Sequence, residues 1–253
     1  MSDEFYIGWE AKAAPGIGKM TRKVIVGLLL LAMLAAVALV ISQRTIANSV
    51  FEWGTQKTVT GILQTQPYPH LLVSRPGKTE GLPGYSTYYL VNQWKFGLPQ
   101  NAIAAFDGKP VNIKGTLIYR GNQTMIETKP EWIEANDKLT APVALPQAMA
   151  LGKQTFTGEI VDSKCFLGVM NPGQYTPHRA CAIRCISGGV PPVLVVKQKN
   201  GPPFHFLLVS ADGKPVNQQV LDLVALPVEI TGDVERQGEL YILRADPSAY
   251  KKL

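Results

Sequence analysis

Two patterns of apolar and polar positions divide the chain. From Val24 to Ile41 the run VIVGLLLLAMLAAVALVI carries no charged residue and is flanked by Arg22, Lys23 and Arg44. A helix of that length and composition spans a bilayer. Further on, from about Thr58 to Lys129 and again from Thr155 to Ala245, β-branched and aromatic residues alternate with polar ones at period two. Gly, Pro, Asn and Asp bound these stretches, which predicts short strands.

The two strand-rich stretches resemble each other. Each opens on a glycine-bearing strand, TVTG at Thr58 and TFTG at Thr155. Each continues through an aromatic strand (STYYLV, FHFLLV) and a D-G-K-P turn, at Asp107 and Asp212, to a V-x-I-x-G strand, VNIKG and VEITG. The hairpins at Arg120-Gly121-Asn122 and Gln237-Gly238 close the copies. An internal duplication explains the parallel. About five short strands per copy fit a small closed barrel, an OB-like barrel ahead of a β-sandwich.

The expected architecture is therefore mainly β: a single N-terminal transmembrane helix followed by two tandem OB-like β-barrel domains. Its parts are a cytoplasmic tail (1–23), the membrane helix (24–43), a first domain (55–138), a linker (139–153) and a second domain (154–247). Pro15, Gly16 and Gly18 are expected to break any helix before the membrane. The aromatics Phe5, Tyr6 and Trp9 in the tail suit the headgroup layer or a neighbouring membrane subunit.

A cleavable signal peptide is the alternative to an anchor. The apolar run exceeds the usual ~7–15-residue core of such peptides, follows more than about twenty polar residues, and leads into SQRTIANS, a poor cleavage site. Lys12, Lys19, Arg22 and Lys23 precede the run, whereas only Arg44 and Lys57 follow closely. The positive-inside rule then places the N-terminus in the cytoplasm and roughly 200 residues outside. In a bacterium this is an inner-membrane protein with periplasmic domains. The formal charge of +6 is spread without runs, so it marks no nucleic-acid arm.

All 3 cysteines lie within 21 residues. Cys165, His178, Cys181 and Cys185 read C-x12-H-x2-C-x3-C, three thiolates and an imidazole, the donors a tetrahedral metal ion takes. HRACAIRC has helix formers and ends at Gly188-Gly189, so His178, Cys181 and Cys185 share a helix face and Cys165 approaches from the loop after the first strand. A metal is weighed against a disulfide from Cys165 to Cys181 or Cys185, and against three thiols packed in a core. Zinc is the default, copper(I) the second choice, and no cysteine run matches an iron–sulfur cluster. Met170 offers a thioether, while His70 and His205 read as ordinary strand or turn histidines.

The segment G158-x-x-x-D162-S163-x-C165, then H178-x-x-C181-x-x-x-C185-x-x-G188-G189 and PPVLVV, resembles poorly characterised exported bacterial OB-like domains, from about Thr155 to Ala245. Phe166 stands where those domains commonly have glycine, and the loop to His178 is long. The resemblance implies a barrel and ligand positions rather than an activity.

Three functions are consistent with these residues. The first is a membrane-anchored accessory or assembly subunit of a larger membrane complex with a structural metal site. The second is a periplasmic copper- or zinc-handling protein, and the third a thiol redox protein, which needs an activated thiolate. The chain has no phosphate loop, H-E-x-x-H, G-x-S-x-G or C-x-x-C-H motif, so the residues point away from an enzyme. No small-molecule substrate is indicated.

Overall fold

The computed structural model describes residues 11–43, 49–75, 84–138, 147–199, 201 and 203–253. Phe5, Tyr6, Trp9, Arg44 and the 139–146 part of the expected linker lie outside them. The chain divides into a helical unit, Met1–Ala47, and a β unit, Asn48–Leu253.

Helix α1 (Pro15–Gln43) is long and apolar enough to cross a membrane, and none of its most apolar stretch is buried. It begins at Pro15, well before the apolar run, which corrects the expectation of a break there. Proline at the first helical position loses no hydrogen bond, because that N–H has no intrahelical partner.

In the β unit, β1 (Ser49–Phe51) is followed by β2 (Lys57–Gln64), β3 (His70–Ser74), β4 (Tyr85–Asn92), helix α2 (Gln100–Ile103), β5 (Pro110–Arg120), β6 (Gln123–Thr128) and β7 (Ile133–Ala135). Strands β2, β3, β4, β6 and β5 pair in that order, and β5 returns to β2, closing a five-stranded barrel; β1 and β7 extend β5. The second half repeats the scheme with β8 (Ala148–Asp162), helix α3 (Arg179–Ser187), β9 (Pro192–Val196), β10 (Phe204–Val209), β11 (Pro227–Gln237), β12 (Leu240–Arg244) and β13 (Lys251–Lys252). Here the ring runs β8, β9, β10, β12, β11 and back to β8. In both barrels the ring strands that are third and fifth in chain order are parallel neighbours, β4 with β6 and β10 with β12, while the other ring pairs are antiparallel.

One large aliphatic residue from each strand fills each barrel. Leu63, Leu71, Leu90, Ile113 and Ile126 lie in the first core, and Ile160, Leu194, Leu208, Ile230 and Leu243 in the second. The paired opening motifs serve the same close approach. A Cβ on Gly61 would stand 2.5 Å from the Leu72 carbonyl oxygen, and one on Gly158 would stand 2.5 Å from that of Val195. The two-residue hairpins form as expected, Arg120 facing Gln123 and Gln237 facing Leu240. The two D-G-K-P turns are not equivalent: Asp107-Gly108 leads directly into β5, whereas Asp212-Gly213 directly follows β10.

Two expected connections carry strand. Residues 148–153 form the exposed start of β8, held by its ladder to β11, and β1 lies between the expected membrane helix (24–43) and the expected first domain (55–138).

A third apolar cluster joins the barrels. Tyr68, Tyr89, Val91, Ile118 and Met125 from the first pack with Val161, Phe166, Leu167, Val193, Leu207 and Ile242 from the second. A polar clamp crosses the same joint. The Lys164 ammonium, 2% exposed, donates to Glu127 Oε1 at 2.6 Å, to the Asn92 carbonyl at 2.9 Å and to the Trp94 carbonyl at 2.6 Å. Its three donors each have an acceptor, and all three acceptors belong to the first barrel. Gly97 N donates to the Gly188 carbonyl at 2.9 Å, with the backbones so close that a Cβ on Gly97 would meet the Gly189 oxygen at 2.0 Å.

Breaking such a pair strands the remaining charge, which costs about 3–5 kcal/mol, whereas replacing both partners by apolar groups is nearly neutral. Lys164→Met should therefore lower unfolding stability of the full chain by about that amount, and the Lys164→Met/Glu127→Leu double variant should recover most of it. Urea titrations followed by tryptophan emission read both values.

Candidate thiol and metal centre

The centre grows from the connection between the first two strands of the second barrel. β8 ends at Asp162, and a single helical turn, Cys165–Val169, follows directly. Asp162, fully buried, accepts the Cys165 amide at 2.7 Å through Oδ1, so the carboxylate fixes the start of this turn. A short turn, Thr176–His178, then delivers the chain into α3, which carries Cys181 and Cys185 and stops at Gly188. The helix forms where HRACAIRC predicts it, with His178 just before its first residue. Gly189 takes φ +98°, a left-handed conformation that suits glycine at a helix end.

The fold brings the four predicted ligands to one place as two overlapping triads. Ligand atoms of Cys165, His178 and Cys181 lie within 4.8 Å of one another, as do those of Asp162, Cys165 and Cys185. Cys165 is common to both. The Cys165 and Cys181 sulfurs are 4.0 Å apart, and the three cysteines form no disulfide. Cys185 thus joins the centre on the Asp162 side, and Cys181 on the His178 side.

Asp162 has a second task. His178 Nε2 donates to its Oδ2 at 3.0 Å, both side chains being buried. A ring held this way keeps its proton on Nε2 and leaves the Nδ1 lone pair as the donor, the carboxylate–histidine arrangement common at metal sites. Asp162 stands in the D-S-x-C pattern, where nothing local marks it as the partner of His178.

The electrostatics distinguish the thiols. A hydrogen bond to Cys185, then burial and the Asp162 charge, push Cys165 upward, so it keeps its proton. The same hydrogen bond, received from Cys165, draws Cys185 downward against burial. Cys181, half-buried, is the centre's contact with solvent, whereas Cys165 and Cys185 are 3% and 1% exposed.

A residue of the first barrel completes the centre. In the loop after β4, Lys95 Nζ donates to Cys181 Sγ at 2.7 Å, and this bond raises the affinity of Lys95 for its proton. The Phe96 ring beside it lies 5.3 Å from the Arg184 guanidinium of α3. Nothing local in QWKFG marks Lys95 as a partner of a cysteine 86 residues away.

The remaining candidates stand apart from the triads. Met170 donates its amide to the Cys165 carbonyl at 3.3 Å, and the residue is 46% exposed. His70 is buried, with Nδ1 2.9 Å from the Tyr68 carbonyl. His205 packs edge-on against Phe166 at 5.0 Å, and Arg120 lies over the same ring at 4.2 Å. A cleft of about 550 Å³ lined by Glu159, Tyr175 and Lys197 has none of the cysteines in its wall.

Compared with family models, with curated proteins and with solved structures, the chain finds no match in any of the three. Its chemistry is therefore read from the residues themselves: a two-barrel protein with a Cys/His centre at the joint.

His205 makes the joint acid-sensitive. Burial, then the Arg120 charge, lowers its pKa to about 4. Between that value and its ordinary one the unfolded chain binds a proton that the folded chain does not, so this contribution is full above the ordinary value and is lost as pH falls towards 4. The loss amounts to about 3 kcal/mol. Urea unfolding at pH 7 and pH 4.5 should show most of it, and His205→Leu should flatten the difference; an equally steep acid loss in that variant would assign the effect elsewhere.

Proposed function

We propose that the chain is a membrane-anchored accessory subunit of a larger membrane complex, whose extracytoplasmic part holds one soft metal ion at the joint between its barrels. The observation that carries the metal reading is the convergence of Cys165, His178 and Cys181 ligand atoms within 4.8 Å, backed by Asp162 on the imidazole. Two thiolates and an imidazole select zinc first and copper(I) second. Cys185, the fourth donor expected from the sequence, lies in the other triad, beside Asp162, and is not needed for this site.

Helix α1 supports the anchor, and the excess of Lys and Arg before its apolar run supports a cytoplasmic N-terminus and an inner-membrane location. The ring order, the parallel pairing of third and fifth strands, and the placement of the centre between the first two strands support the OB-like reading of both barrels. They also fit the resemblance of the second barrel to exported bacterial domains. A buried centre at a joint suits a structural role, since a metal there stabilises the folded form by its binding energy. Metal handling is the second reading, favoured by the exposure of Cys181.

The test is metal content of the full chain purified in mild detergent without chelator, beside a count of thiols after unfolding. The expected result is one zinc or copper per chain and three titratable thiols. Cys181→Ser should lose the metal, while Cys185→Ser should keep it. Metal retained in Cys181→Ser but lost in Cys185→Ser would move the site to the Asp162 triad, and a single titratable thiol without metal would replace the site by a disulfide. Larger partners that co-purify with the full chain support the accessory role; a clean monomer counts against it.

A further inference from the structure

The metal reading leaves the Lys95 contact unused. A thiolate bound to a metal keeps lone pairs for such a donor, so the contact is compatible with either state, and its chemical consequence falls in the metal-free centre. In that state the three features of an oxidisable dithiol are together. Cys181 is the cysteine that reaches solvent, Lys95 Nζ stands 2.7 Å from its sulfur, and the buried sulfur of Cys165 lies 4.0 Å away. Redox-sensing cysteines are accessible thiolates beside a cation, with a second thiol near enough to resolve the first product.

We propose that the metal-free centre is a peroxide-reactive dithiol, with Cys181 as attacking sulfur, Lys95 as the hydrogen-bond donor beside it and Cys165 as resolving thiol. The inference does not rest on the metal reading. In the first step the Cys181 sulfur attacks one oxygen of hydrogen peroxide, the O–O bond breaks and the thiol proton passes to the leaving hydroxide. The products are Cys181 sulfenic acid and water, and the Lys95 ammonium steadies the leaving oxygen by hydrogen bonding. In the second step the Cys165 thiol displaces water from the sulfenic acid and the Cys165–Cys181 disulfide forms. Two thiols are oxidised and one peroxide is reduced to two waters.

The geometry selects the partner. Cys181 and Cys185 lie one turn apart on α3, where Cβ atoms are about 5–6 Å apart, too far for the roughly 3.5–4.5 Å a disulfide needs. Cys165 is on a separate turn of chain, so rotation of the Cys181 side chain can bring the two sulfurs together. Lys95 comes from the other barrel, so the reaction depends on the closed joint. Where a metal binds Cys165 and Cys181, it protects both sulfurs, and oxidation of the pair removes two of its ligands.

The test uses the full chain in detergent, stripped of metal with chelator, and hydrogen peroxide as the oxidant. Intact mass should fall by two hydrogens, peptide mapping should join Cys165 to Cys181, and Cys185 should be the thiol left to alkylate after unfolding. Cys165→Ser should stop at a Cys181 sulfenic acid that dimedone captures. Lys95→Met, at an exposed position that folding tolerates, should slow that capture by about tenfold or more, and Lys95→Arg should restore part of the rate. Capture at the unaltered rate in Lys95→Met, or any disulfide other than Cys165–Cys181, would overturn the proposal. Because the reaction is read on the metal-free chain, failure to bind metal leaves this outcome unaffected.

Discussion

The buried ammonium of Lys164 is the constraint around which the β unit is organised. A lysine at 2% exposure is costly unless all its donors are satisfied, and here the three acceptors are Glu127 and the carbonyls of Asn92 and Trp94. Every acceptor lies on the first barrel and the lysine on the second, so sliding one barrel past the other would leave a charge or a carbonyl unpaired. Cys165 is the next residue. Fixing Lys164 therefore fixes the turn that carries the central sulfur of both triads.

The two barrels share a ring order but contribute differently. The second elaborates the connection after its first strand into a turn, a loop and α3, which supply Asp162, Cys165, His178, Cys181 and Cys185. The first has only TQPYP between the corresponding strands, yet its loop from Asn92 to Gly97 meets the centre from outside. Two of the Lys164 carbonyls, the Lys95 ammonium, the Phe96 ring and the Gly97 amide all come from that loop. The loop without cysteines thus closes the centre that the other barrel builds.

Local chemistry was readable in the sequence, and long-range chemistry was not. The apolar run, the Gly121-Asn122 and Gly238-Glu239 hairpins, and the helix in HRACAIRC each declare themselves within a few residues, because composition and turn residues decide them. The exposed start of β8 was read as linker for a physical reason. Its side chains face solvent, so no alternation marks it, and only its ladder to β11 makes it a strand. Lys164 was equally hidden, since nothing local distinguishes a lysine that meets Glu127 from one that meets water. Asp162 lay in plain view within D-S-x-C, and its value emerged once its two oxygens were seen to serve Cys165 and His178.

The central claim is that the joint between the barrels, rather than the second barrel alone, shelters the centre. Alkylation of the metal-free full chain, followed cysteine by cysteine by mass spectrometry in the unaltered protein and in Glu127→Ala, tests it most directly. The account predicts that Cys181 reacts first and Cys165 slowly in the unaltered chain, and that Cys165 loses its protection in the variant while amides of the second barrel's core strands still resist exchange. Unchanged protection of Cys165 in a variant whose joint has been weakened would contradict it.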